Sequence, residues 1–377
     1  MAKRCYFDWA ATAIPDVKVS KVPWGNPSSL YHEGRLAKNA LEHARTRCAA
    51  ALNVSPDRLY FCAGATEANG IVLSSFLLRP SHAPMLYSAV EHSSIRENGA
   101  LLARLGKQMS PITVGYDGRV SRADLAHAFE KNPHARFAAL MAVNNEVGSI
   151  MDMQDLTDYI RKEPGAPVHI HSDLVQAVGK IPLDITGWDL DSAVISAHKI
   201  GGPRGIGLLY LKKPLEAFLR GGGQERGIRP GTENTAGALA LAECLERRMN
   251  PETFHHTFEQ ASERCARLID FLKTLPRCRL IPEDRQPQDS RFSPYIIQAA
   301  FDDIPGEVLV RALDDAGIAV STGSACSVGT QDRPVLTAMG LDTRIRLEGI
   351  RISQGWSTTM EDIDRLCSAV VDQFQFL

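Results

Sequence analysis

The sequence predicts an α/β protein: a large unit on a mainly parallel sheet covered by helices on both faces, followed by a smaller α/β unit. Three observations carry this. Short apolar runs recur between segments of helical period, which is how strands buried on both faces read. At 377 residues the chain exceeds what one compact core normally holds, so two units are expected. Past about residue 250 the texture changes, from strand–helix alternation to a long helix, an irregular polar stretch and short mixed elements.

The first clear element is a helix over 33–52, where Leu36, Ala40, Leu41, Ala44, Cys48 and Leu52 recur at three- and four-residue spacings. Strands are expected in "RLYFC" (58–62), "PMLYSAV" (84–90), "ARFAALMAV" (135–143), "APVHIHS" (166–172), "DSAVISA" (191–197) and "GIGLLYL" (205–211). A short glycine-rich link joins the last two, too brief for a parallel crossover, so that pair is expected to be antiparallel. The second part begins with a long helix, "ETFHHTFEQASERCARLIDFLKTL", and the polar stretch 282–294. A strand (295–301), a helix (305–316), the loop "VSTGSACSVGT" with Cys326, another helix and a strand in "GIRISQG" follow. There is no internal repeat and no low-complexity tract.

Composition narrows the function classes. With 44% hydrophobic residues, 23% charged and a formal charge of −2, the chain has the balance of a soluble globular protein and no bias toward nucleic acid. The start, "MAKRCYFDWAATAIPD", predicts no secretory leader, and no run approaches a membrane span, so the expected compartment is the cytoplasm. The eight cysteines (Cys5, Cys48, Cys62, Cys244, Cys265, Cys278, Cys326, Cys367) form no C-x-x-C pair, against a disulfide framework or a structural zinc site. In a reducing cytosol most should be buried and inert.

In open α/β sheets ligands sit beyond the carboxyl ends of the strands. "FCAGATEANG" places Gly64 in a turn and Ala65, Thr66 and Glu67 at a helix start, where free backbone N–H groups hold a phosphate or simply make a turn. In "HIHSDLVQAVGK", Asp173 and Gln176 are three apart and share a face of one turn, and an acid there pairs with a protonated ring nitrogen or caps a helix. His169 and His171 share a strand face, but no third ligand with metal-site spacing is evident, so no metal is expected. "SAVISAHKIGGPRGIG" puts Lys199 at the end of a buried strand, after His198 and before a glycine hinge, where a lysine is desolvated enough to form a Schiff base. A phosphate cradle, a ring-nitrogen acid and a desolvated lysine on successive strand ends are the parts that hold pyridoxal phosphate.

The chain resembles the cysteine desulfurases, the sulfur-mobilising branch of the class V aminotransferase family. "YFDWAATA", "NPSSLYHEGR", "GATEAN", "EHSSI", "VNNEVGSI", "HSDLVQAVGK", "SAHKIGGPRGIG", "GGGQERGIRPGTENTAG", "VSTGSACS" and "IRISQG" occur in the family's order and approximate spacing. The resemblance implies the fold type I pyridoxal-phosphate architecture: residues 14–255 as a large cofactor-binding domain on a seven-stranded sheet, with 1–13 and 256–377 as the small domain bearing the cysteine loop. It implies that Lys199 binds the cofactor and moves protons at the substrate carbons. Asp173 would keep the pyridine nitrogen protonated, and Gln176 and Asn145 would bond the phenolate side. His92 would stack on the ring and take part in proton transfer. Ala65, Thr66, Ser196 and His198 would hold the phosphate, joined by Thr232 from a partner subunit, which implies a homodimer. Arg351 would form a bidentate pair with the substrate carboxylate.

The same resemblance gives Cys326 its chemistry. Cofactor chemistry on L-cysteine weakens the C–S bond, and a thiolate on a loop of small residues takes the sulfur as a persulfide, leaving alanine. The sulfur would then pass to an iron–sulfur scaffold or a tRNA-thiolating enzyme. The alternatives are a selenocysteine lyase or cysteine-sulfinate desulfinase, and a sulfur-handling adaptor that keeps the fold without the catalysis. Departures from the family pattern are Trp9 near the expected cofactor entrance, Ala63 and Gly70 around "GATE", a shortened stretch after Cys326, and no asparagine before the strand at 295.

Overall fold

The apolar runs become strands in the computed structural model, which describes residues 4–17, 22–79, 83–162, 167–323 and 333–376. The first part comprises β1 (Cys5–Tyr6), α1 (His32–Ala51), β2 (Leu59–Cys62), α2 (Ala65–Ser75), β3 (Met85–Ser88), α3 (Ser93–Arg104), β4 (Met109–Ile112), α4 (Arg122–Lys131), β5 (Phe137–Ala139), α5 (Met153–Lys162), β6 (His169–Asp173), β7 (Ser192–Ser196), β8 (Gly207–Leu211) and α6 (Thr235–Met249). The second comprises α7 (Pro251–Thr274), β9 (Cys278–Ile281), β10 (Ile296–Phe301), α8 (Gly306–Asp315), β11 (Ile318–Ala319), α9 (Pro334–Ala338), α10 (Thr343–Glu348), β12 (Gly349–Ser353) and α11 (Met360–Phe376).

Seven strands form one sheet in the order β2-β8-β7-β6-β5-β3-β4. Strands β4, β3, β5, β6 and β7 are parallel neighbours, whereas β8 runs antiparallel to both β7 and β2. The antiparallel β7–β8 pair is the one the short link required. Strand β4, "MSPI", is an addition to the sequence reading: it is polar and carries Pro111, which an edge strand tolerates because that side of its backbone needs no ladder bond.

Successive residues of each strand feed opposite faces of the sheet. Leu208 and Tyr210 join one apolar cluster with Leu41, Cys48, Leu125, Leu156 and Leu241 of α1, α4, α5 and α6. Leu209 and Leu211 join another with Val72 of α2 and Ile95 of α3. A third cluster unites Ile297, Ile350, Leu268, Leu313 and Leu366 around the antiparallel sheet β12-β10-β9, whose strand β9 the sequence reading had also left out. The N-terminal segment joins this second region: β1 pairs parallel with β11, and Asp8 bridges to Ser353. Trp9 packs there too, its ring edge-on to Trp356 with centroids 5.2 Å apart and lying where any side chain at Gly355 would collide.

Among the described residues no helix is long and apolar enough to cross a membrane. Cys5, Cys48, Cys62, Cys244, Cys265 and Cys367 are buried and Cys278 is half-buried. Burial pushes the thiols of Cys48, Cys62, Cys244 and Cys278 up to about 12 and that of Cys367 to about 11, which withholds the reactive thiolate at neutral pH. Cys326 lies outside the described residues.

One buried ion pair ties α1 to the loop before α6. Arg45 donates to both carboxylate oxygens of Glu225, at 2.7 and 2.8 Å, and Glu225 also accepts the Phe61 N–H at 2.8 Å. The pair holds Glu225 and Arg226 in left-handed backbone (φ 47° and 53°), costly for residues with a Cβ. Replacing Arg45 with methionine strips Glu225 of its bidentate partner and is expected to cost about 3–5 kcal/mol. Urea denaturation followed by circular dichroism checks this, and an unmoved midpoint would contradict it.

Candidate active site

Since β2, β3, β5, β6 and β7 all run in one direction, their carboxyl ends share one edge of the sheet, and the candidate residues follow those ends. Gly64 follows β2 with φ 153° and precedes α2, which begins at Ala65. The approach of backbone to backbone is close: a Cβ on Gly207 of β8 would lie 2.8 Å from the Gly64 Cα. Ser196, the last residue of β7, has its hydroxyl next to Gly64, while Thr66 is exposed in the first turn of α2. This edge therefore offers a helix N-terminus, a hydroxyl and space without side chains, which suits a phosphate. His198 turns its Nδ1 to Thr12 Oγ1 at 3.2 Å, and burial lowers its pKa to about 4, with Lys199, Arg204 and Lys180 acting the same way.

Asp173 ends β6 and is buried. Its Oδ1 accepts the Val175 N–H at 3.0 Å, the local turn that the sequence allowed as a cap, and its Oδ2 accepts Nδ2 of Asn69 at 3.2 Å. His92 caps α3 through Nδ1, which accepts the Ser94 N–H at 3.1 Å. Burial lowers the His92 pKa, aided by Lys199 and Arg96 and opposed by Asp173. Beside it Glu91 is buried, and burial together with Asp173 raises its pKa to about 8, so it holds a proton at neutral pH. His169 and His171 are core residues: both contact the Ser192 hydroxyl at 2.7 Å, and burial lowers them to about 4 and about 3.

Lys199 follows β7 in a short turn. Its Nζ donates to the carbonyls of Ala10 at 2.5 Å and Ala11 at 2.8 Å. The Ala10 carbonyl also accepts Nε2 of Gln176 at 2.9 Å, so the lysine and the glutamine meet on one oxygen. Lys180 holds the other end of that amide, donating to Gln176 Oε1 at 2.7 Å. Burial lowers the Lys180 pKa to about 7, with Lys199, Arg351 and Arg248 contributing.

Arg351 of β12 reaches the same edge from the second region and is buried. NH1 donates to the carbonyls of Asn145 at 2.9 Å and Gly323 at 2.8 Å, and NH2 to Asp8 at 2.6 Å. Its Nε and the Asn145 Oδ1 are buried without a hydrogen-bond partner among the described residues. A bidentate carboxylate would therefore use Nε and share NH2 with Asp8. Glu146, next to Asn145, is buried and its pKa is raised by that burial against the pull of Arg351, Arg333 and Arg96. Thr232 is exposed on the loop before α6.

The set fits pyridoxal phosphate. An amine, a buried acid and a helix N-terminus lie on one sheet edge, and two orphaned polar atoms await a partner there. Sequence reading missed Asn69, Ser94, Asp8 and Lys180. Asn69 had a local signal: it lies four residues after Ala65, on the same helical face.

The family model described as Aminotransferase class-V matches residues 5–366. A cysteine desulfurase of Cereibacter sphaeroides is 34% identical over 396 residues, covering 100% of this chain and 97% of that relative. A NifS/IcsS protein homolog of Lactobacillus delbrueckii subsp. bulgaricus is 33% identical, covering 98% and 97%. A solved NifS-like protein superposes with a TM-score of 0.89 at 30% identity, covering 99% of this chain and 100% of the other.

Burial of the core histidines sets an acid limit on stability. His171 has its folded pKa at about 3 against an ordinary 6.5, so below 6.5 the unfolded chain takes up a proton that the folded one refuses. Stability is then lost as pH falls. In His171→Gln this contribution is absent, and between about pH 6 and pH 4 the loss should be smaller by about 1.4 kcal/mol per pH unit than in the parent. Urea midpoints measured across that window check it, and parallel profiles would refute it.

Proposed function

The chain belongs to the aminotransferase class-V family, and on that premise we propose that it is a pyridoxal-phosphate-dependent cysteine desulfurase that turns L-cysteine into L-alanine and takes up the sulfur on Cys326. The observation that carries the reading is the meeting of Lys199 and Gln176 on the Ala10 carbonyl, one strand away from the buried Asp173. In this reading Lys199 attaches the cofactor. Asp173 pairs with its ring nitrogen, and Gln176, Asn145 and His92 contact its ring. Ala65, Thr66, Ser196 and His198 hold its phosphate. Bound there, the cofactor supplies an electron sink that loosens the bonds at the substrate's carbons.

The chain's own residues do the rest. Arg351 fixes the substrate carboxylate, with Asp8 and two carbonyls holding the guanidinium in place beforehand. Lys199, already surrounded by acceptors, carries protons between the substrate carbons. Cys326 attacks the substrate sulfur. A sulfur–sulfur bond forms and the carbon–sulfur bond breaks, with its electron pair passing to carbon, which then takes up a proton. The products are alanine and a persulfide, and no external oxidant is consumed. Arginine and lysine are not interchangeable at the carboxylate site, where a planar fork is needed.

The proposal extends to partners and organisation. Residues 14–255 form the cofactor-binding domain, with 1–13 and 256–377 as the small domain. The active form is a homodimer in which Thr232 reaches the other subunit's phosphate. Its exposure supports this, as do the exposed Trp24, Leu30 and Tyr31 before α1 and Phe218 and Leu219 after β8. The persulfide serves an iron–sulfur scaffold or a tRNA-thiolating enzyme, and the free thiols suit a reducing cytoplasm.

Purified protein supplied with pyridoxal phosphate and L-cysteine should release one alanine per sulfur delivered to a thiol acceptor. Cys326→Ser should lose about a hundredfold or more of that rate while still binding the cofactor, because its hydroxyl cannot carry persulfide sulfur. A rate unchanged from the parent would remove Cys326 from the mechanism. In Lys199→Ala, borohydride treatment should leave no cofactor fixed to the chain by mass spectrometry, and a fixed adduct would refute the lysine assignment.

A further inference from the structure

Asn69 is completely buried and holds none of the proposed catalytic roles, yet it touches Asp173 directly and reaches His92 through Ser94. Its Nδ2 lies 3.2 Å from Asp173 Oδ2 and 2.8 Å from Ser94 Oγ, and its Oδ1 lies 2.8 Å from His171 Nε2. Ser94 Oγ lies 2.8 Å from His92 Nδ1. A carboxylate only accepts, so the amide must present its NH2 to Asp173 and its oxygen to His171.

That choice settles every proton along the path. His171 donates from Nε2 to Asn69, so in its neutral ring Nδ1 accepts from the Ser192 hydroxyl, 2.7 Å away. The Ser192 oxygen then accepts from His169 Nε2 at 2.7 Å. At the other end Ser94 accepts from Asn69 and turns its own O–H to His92 Nδ1, which the Ser94 N–H already faces. With Nδ1 supplied by two donors, neutral His92 keeps its proton on Nε2. The donors run one way, from His169 in the sheet to His92 at the site. Burial keeps both core histidines neutral, so neither can reverse its end of the chain at physiological pH.

We propose that Asn69 is a positioning residue that locks the Asp173 carboxylate in place and aims the Ser94 hydroxyl at His92 Nδ1, reinforcing the Nε2–H tautomer that the Ser94 N–H already sets. The inference rests on the reading in which Asp173 and His92 serve the cofactor. Asn69 touches neither substrate nor reacting atoms and acts through these two side chains. A leucine of similar volume at position 69 would keep the packing and remove both donors.

The test uses the full-length protein, parent and Asn69→Leu, with two kinds of readout. Bound to pyridoxal phosphate, the variant should shift the pH midpoint of the cofactor's visible band by about one unit. Its kcat should fall about tenfold or more with KM for L-cysteine within about twofold, the scale of one hydrogen bond to a charged group. In nitrogen-15 spectra of the cofactor-free protein, the His92 Nδ1 resonance should move as the Ser94 hydroxyl, no longer held by Asn69, stops donating to it, while the proton stays on Nε2. A parental pH midpoint together with a parental His92 Nδ1 resonance would overturn the inference. If the parent itself shows no visible band and no alanine formation, the functional reading fails instead, and the His92 Nδ1 resonance still decides the role of Asn69. Should the leucine variant not fold, Asn69→Asp keeps the shape and turns the donor into an acceptor against Asp173. A shifted midpoint there supports the assignment, and an unshifted one overturns it.

Discussion

The carbonyl oxygen of Ala10 is the point on which the site depends. It accepts both Lys199 Nζ and Gln176 Nε2, and so joins the ends of β6 and β7 to a segment that belongs to neither. That segment is itself held by the second region: Ala10 N–H donates to Ser353 Oγ, and Asp8 is paired with Arg351. A backbone carbonyl has two lone pairs, and here both point at groups of the site. Arg351 and Lys199 are thus spaced by one short stretch of chain, "DWAA", clamped at both ends.

Burial does much of the chemical sorting. Among the described residues, six cysteines and four histidines lie where desolvation either raises the thiol or lowers the imidazole, which disfavours thiolate and imidazolium alike. Glu91 is moved in the same sense as the thiols, toward its protonated form, by burial and by the neighbouring Asp173 charge. The cost is borne by stability in acid, because refusing protons in the folded state favours unfolding when protons are plentiful.

Much of the fold was legible from local pattern. Apolar runs announced β2, β7 and β8 and a mixed run announced β6, and the short link announced the reversal at β8, because steric reach alone forbids a crossover there. Strands β4 and β9 were not legible: "MSPI" and "CRLI" are short and mixed, and they are strands because a neighbour supplies the ladder. Trp9 stood out in the sequence as an odd residue near the site, and packing resolves it as a core side chain filling the space over Gly355.

The sequence by itself determined the α/β class, the strand ends as the place for chemistry, and the candidates Lys199, Asp173 and Gln176, because those depend on residue type and on spacing along one element. Only the tertiary structure decided that Gln176 and Lys199 share an acceptor at Ala10, that Asp8 already occupies one arm of Arg351, and that one amide, Asn69, donates to both Asp173 and Ser94. Each of these joins residues about a hundred or more positions apart, or turns on which end of an amide faces an acceptor. Periodicity carries no information about either, since contacts between distant segments arise from how the layers close on one another.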